Sequence, residues 1–146
     1  MPEPDVRRRA LGGPGVLLVA VYAVLALAAT GRSVLQITEY FDRAPLAYLL
    51  SALAAVVYVL ATFCLARGGR WVRVGVAACA VELVGVVVVG AASYLVPGAF
   101  PDRTVWSHFG QGYGFVPLVL PVLGLLWFRR VDRAGRQADD VAVAAD

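Results

Sequence analysis

Apolar residues in this chain gather into four runs, separated by short polar stretches rich in proline, glycine and arginine. The runs lie at about residues 14–30, 45–66, 72–96 and 107–128. A helix needs roughly 20 apolar residues to cross a ~30 Å hydrocarbon core, with shorter runs tolerated. The pattern predicts an all-α fold: a polytopic membrane protein built as a four-transmembrane-helix bundle, flanked by polar tails at 1–13 and 129–146. Within the runs, small and polar residues recur at three- and four-residue spacing, which places them on one face of a helix. In the third run Gly75, Ala78, Cys79, Glu82, Gly85, Ala92 and Ser93 form such a face, while Val76, Leu83, Val84, Val87 and Val88 fall off it and suit lipid. Gly15, Val19, Tyr22, Ala26 and Ala29 repeat the arrangement in the first run, and Ser51, Ala54, Ala55, Tyr58, Ala61 and Thr62 in the second. Small faces let helix backbones approach closely where lipid removes the usual hydrophobic drive.

Composition agrees with a membrane chain: 60% of the 146 residues are hydrophobic, against about half in soluble domains. All 13 basic residues are arginine, a habit of GC-rich genomes. They form no stripe of their own, so nucleic-acid binding is not expected. Only Arg32, Arg43 and Arg103 fall on the connections at 31–44 and 97–107; the others cluster at the two tails and in the turn from Arg67 to Arg73. The positive-inside bias then predicts a bacterial plasma-membrane protein with both termini cytoplasmic. Trp71, Trp106 and Trp127 stand near run ends like interfacial anchors. Arg7, Arg8 and Arg9, the first run and the Ala26-Leu27-Ala28 triplet also match a signal peptide. The run is long for an h-region, so cleavage is the lesser alternative.

Chemistry concentrates in two places. Glu82 is the single carboxylate inside the third run, and an intramembrane acid is costly enough to be read as inward-facing and functional. Counted along the runs, Tyr22 and Tyr58 reach the same depth, so Glu82, Tyr58 and Tyr22 form a candidate intramembrane polar cluster, hydrogen-bonded at mid-membrane. The competing reading is a structural glutamate joining helices. A second cluster is expected on the outer face: Arg32, Gln36, Glu39, Asp102, Arg103 and His108. Arg32, Gln36 and Glu39 share a side if the first helix continues past the bilayer. Mixed charge there suits a polar ligand, a lipid headgroup or a partner, or else a solvated loop. Cys64 and Cys79 read as small buried hydrophobes, and no spacing supports a metal site. Gly112-Tyr113-Gly114 looks like an ion-filter triplet, but the preceding segment is too short and proline-rich for a pore helix, and close packing explains the glycines better. Pro117 and Pro121 are expected to kink the fourth helix.

In EYFDRAPLAYLLSALAAVVY (Glu39–Tyr58) and FPDRTVWSHFGQGYGFVPLVLPVLGLLWF (Phe100–Phe128) the chain resembles the uncharacterised small four-span integral membrane proteins of actinobacteria. The resemblance implies plasma-membrane residence and transfers no activity, cofactor or site residue. No catalytic residue, metal or cofactor is expected, and an enzymatic role is not indicated. The lipid bilayer is the one certain partner of such a chain. The expected function is that of an accessory subunit, in contact with a membrane-protein partner or with itself. The alternative is a small homo-oligomeric proton-coupled transporter or channel component using Glu82.

Overall fold

Proline and glycine set the helix boundaries. In the computed structural model, which describes residues 12–145, four α-helices follow one another: α1 (Pro14–Glu39), α2 (Pro45–Arg67), α3 (Val72–Leu95) and α4 (Val116–Ala144). Pro14 and Pro45 open their helices, where a missing N–H costs nothing. Gly68 ends α2 with φ 60°, and its N–H closes on the Cys64 carbonyl at 2.9 Å. Gly69 is also left-handed (φ 55°), so the turn reverses the chain where other residues would be strained. Short 3-10 turns at Phe41–Arg43, Gly69–Trp71, Pro97–Ala99 and Ser107–Tyr113 complete the connections. No strand occurs among the described residues. The expected tail at Arg7, Arg8 and Arg9 lies outside them.

Length and hydropathy make this a membrane-embedded bundle. α1, α2 and the segment Gly69–Leu95 each exceed the apolar length that a crossing requires. The helices form a ring in which α1 packs on α2, α2 on α3 and α3 on α4, with a thin seam from α4 back to α1. The ring has two ends. One carries Pro14 and the Gly69–Trp71 turn; the other, the loop end, carries residues 38–45 and 96–115. The small-residue faces point inward: Gly75, Ala78, Cys79, Glu82 and Ser93 of α3 are buried, as are Tyr22, Ala26 and Ala29 of α1 and Ser51, Ala54, Tyr58 and Ala61 of α2. Val76, Val84, Val87 and Val88 are exposed on the outside of the ring.

The fourth element departs from the sequence reading. A helix was expected from about residue 107, but α4 starts at Val116, and the preceding Ser107–Tyr113 is an irregular 3-10 segment, non-helical at three of its residues and bent 97° from it. His108, Phe109 and Gly110 all have positive φ (52°, 59° and 78°), as do Gly114 and Phe115, so no right-handed helix can pass through them. The sharp bend therefore lies before Val116, not at the prolines. Pro117 sits in the first turn of α4, and Pro121 is carried inside an uninterrupted helix. α4 also runs on to Ala144, so residues expected as a tail from 129 are helical. They are almost wholly exposed and stitched by an Arg136–Asp132 ion pair at 3.0 Å.

Candidate functional site

All four helices converge on one buried cluster. Tyr22, Tyr58 and Glu82 lie eight to ten residues from the Pro14, Arg67 and Val72 ends of their helices, about 12–15 Å deep at 1.5 Å per residue. All three are fully buried. The Tyr22 hydroxyl donates to Glu82 Oε2 at 2.8 Å and stands 3.5 Å from Cys79 Sγ, tying α1 to α3 across the ring. Glu82 Oε1 is buried without a hydrogen-bond partner among the described residues. Tyr58 joins the cluster through its ring, 6.3 Å from that of Tyr22, but not through Glu82. Its hydroxyl accepts instead from Trp106 Nε1 at 3.1 Å. Tyr22, Tyr58 and Glu82 thus come together inside the ring, with the tyrosines bonded to different partners.

α4 contributes the absence of a side chain. A Cβ on Gly124 would stand 2.7 Å from Cys79 Sγ and 3.2 Å from the Tyr22 hydroxyl. Gly124→Val is expected to push these groups apart and to cost about 1–3 kcal/mol, the usual range for overpacking. Equilibrium unfolding in lipid nanodiscs reads the loss, and an unchanged midpoint would count against the close approach.

Trp106 is the residue that sequence reasoning misplaced. Expected as an interfacial anchor, it is 1% exposed, and its indole covers Gly85, one turn above Glu82 on α3. The segment before α4 dips into the ring, because α3 offers it a groove lined with small residues. Gly90 makes room for Phe109, and Ser93 Oγ accepts the His108 N–H at 2.8 Å while donating to the Gly90 carbonyl at 2.7 Å. Thr104 and Ser107 organise the turn around the tryptophan: Ser107 Oγ accepts the Thr104 N–H at 2.9 Å, and Thr104 Oγ1 accepts the Trp106 N–H at 3.1 Å. Irregular backbone at membrane depth requires such partners. The Thr-x-x-Ser spacing around a tryptophan was the available signal, since these side chains bond to nearby backbone in turns.

The expected outer-face residues divide between two adjoining clefts at the loop end. Arg32 stands between them: its Nη1 donates to the Tyr113 hydroxyl at 3.1 Å and its Nη2 to the Arg103 carbonyl at 2.8 Å. On one side Asp102 is bound to Arg43 at 3.1 Å and accepts the Tyr48 hydroxyl, with Gln36 on the same wall. Arg103, like Arg32, borders both clefts, and His108 lies in the second, where its ring meets Tyr94 edge-on at 4.5 Å. Glu39 is exposed and makes no ion pair among the described residues. Tyr48 and Tyr113 were not anticipated at this site.

Ser107 Oγ is engaged with Thr104, and Asp102 with Arg43 and Tyr48, so His108, Ser107 and Asp102 form no nucleophile–base–orienter relay. Among the described residues no three His, Cys, Asp or Glu side chains come together to hold a metal, and both cysteines are free thiols. No family model, curated protein or solved structure matches the chain.

Proposed function

We propose that the chain is an accessory subunit of a larger complex in a bacterial plasma membrane, joined to it by a partner helix laid along the α1–α4 seam. The observation that supports this most is the seam itself. There the ring is thinnest, and α1 and α4 leave an apolar groove of about 480 Å³ between Leu17, Leu18 and Val21 on one wall and Leu120, Leu123 and Trp127 on the other. The lining recurs at three- and four-residue steps on both helices, the repeat that a third helix packs into. Val21 and Val116 continue it into a second hollow lined by Val24 and Leu25. Arginine asymmetry supports cytoplasmic termini, and the word-level likeness to small actinobacterial membrane proteins supports the plasma membrane.

Native mass spectrometry of the protein released from its own membranes at endogenous level tests the reading. The expected result is a stoichiometric complex with another polypeptide, lost in the variant Leu17→Trp/Leu123→Trp, which fills the groove. A monomer carrying lipid alone overturns it. A second reading, a homo-oligomeric proton-coupled transporter or channel component, draws on the partnerless Oε1 of Glu82 at mid-depth. A homo-oligomer without other polypeptides would favour it. Against it, Glu82 is fully buried and Trp106 covers Gly85, one turn further along the same helix.

A further inference from the structure

We propose that the polar cleft at the loop end, bounded by Arg32, Arg103 and His108, is a binding site for a phosphate group. The cleft has a volume of about 360 Å³. Two guanidinium groups and an imidazole line it together with Gln111, Gly112 and Tyr113, and no carboxylate does. Neither Arg32 nor Arg103 forms an ion pair among the described residues. The nearest acid in sequence, Asp102, faces the adjoining cleft, where Arg43 and Tyr48 occupy it. Arg32 and Arg103 border that adjoining cleft as well, yet neither pairs with Asp102, which is taken up by Arg43 and Tyr48.

The cleft is also built in advance. Arg32 is fixed by Tyr113 and by the Arg103 carbonyl, which uses two of the five guanidinium donors and leaves three for a ligand. Thr104 and Ser107, both buried, bond to each other and stiffen the floor. His108 is held by its N–H on Ser93 and by the Tyr94 ring. Two guanidinium forks converging from α1 and from the loop suit the several oxygens of a phosphate better than a single ammonium would. The site opens at the end of a membrane-crossing bundle, where phosphate arrives either as a lipid headgroup or free in the water. It stands independently of any helix in the α1–α4 groove.

The test uses the full chain. Inorganic phosphate is titrated calorimetrically against protein in phosphatidylcholine nanodiscs. In parallel, native mass spectrometry reads retained lipid after extraction from vesicles of mixed phosphatidylcholine and phosphatidylglycerol. Arg103→Gln is the decisive variant, because the exposed Arg103 side chain makes no hydrogen bond or ion pair among the described residues, so its loss leaves packing intact. Arg32→Gln is the second, and Arg73→Gln, at the opposite end, is the control. Saturable phosphate binding that falls roughly tenfold or more in Arg103→Gln, with Arg73→Gln unchanged, supports the site with free phosphate as its source. Selective phosphatidylglycerol retention lost in Arg103→Gln, with inorganic phosphate inert, supports the headgroup. If neither probe binds, or if Arg103→Gln and Arg73→Gln behave alike, the proposal is overturned.

Discussion

Replacing Trp106 by alanine is expected to destabilise the bundle by about 3–5 kcal/mol, the range for removing a large aromatic from a packed interior. The side chain fills the space above Gly85, and its N–H satisfies the Tyr58 hydroxyl. Alanine would open a cavity bounded by α2 and α3 and leave a fully buried tyrosine hydroxyl without its donor. It would also release the 3-10 segment from Ser107 to Tyr113, which is held to α3 by Ser93 and by Phe109 against Gly90. Trp106→Phe separates the two contributions. It keeps much of the aromatic ring but still strands the buried Tyr58 hydroxyl, so it should cost about 1–3 kcal/mol, less than alanine. Unfolding free energies measured in the same detergent or lipid for both variants check the ordering. Equal stability of wild type and Trp106→Ala would mean that the indole is not seated in the ring.

The difference between this loop and the three long helices explains what was legible beforehand. α2 and α3 could be placed to within a residue or two because apolar length, an opening proline and a glycine turn all point the same way. Their inward faces followed from the spacing of small residues, which brought Tyr22 and Glu82 to one depth and one side before any contact was known. Residues 107–115 defeat the same logic. Hydropathy reports whether a segment suits the membrane interior, not which hand its backbone takes. Positive φ at His108, Phe109 and Phe115 is unusual for side chains of that size. Here it goes with contacts to residues far away in sequence: Ser93 holds the His108 N–H, Gly90 makes room for Phe109, and Pro117 packs where Gly110 has no Cβ. Local propensity carries no trace of those partners. Trp106 was misplaced for a related reason, since a tryptophan near a run end is an interfacial anchor unless a glycine on another helix gives it a seat. Arg32 and Arg103 meet at the loop end, but the engagement of Asp102 by Arg43 and Tyr48 leaves no trace in local sequence.

The second large effect concerns Tyr22 and Glu82, and it distinguishes a group kept for stability from one kept at its expense. Tyr22→Phe removes the one side-chain hydrogen bond that Glu82 makes among the described residues, leaving both carboxyl oxygens buried without a partner there. The expected cost is about 1–3 kcal/mol, the penalty for a stranded buried polar group rather than the net worth of the bond. Glu82→Met alone strands the Tyr22 hydroxyl, which retains only Cys79 Sγ at 3.5 Å, and should cost less. The double variant Tyr22→Phe/Glu82→Met leaves apolar side chains of similar volume on both sides of the ring. It is expected to match or exceed wild-type stability, because buried polar pairs commonly give way to well-packed hydrophobes without loss. The four unfolding free energies close a double-mutant cycle, whose coupling should equal or exceed the sum of the two single costs, about 2–4 kcal/mol, more than the net worth of an interhelical hydrogen bond because each single variant strands a buried polar group. Strict additivity would mean that the 2.8 Å contact carries no energy. A double variant less stable than either single would make Glu82 a structural residue. Recovery of stability in the double variant would instead leave stability unable to account for an acid at mid-membrane, and its role would then have to be sought in what the protein does.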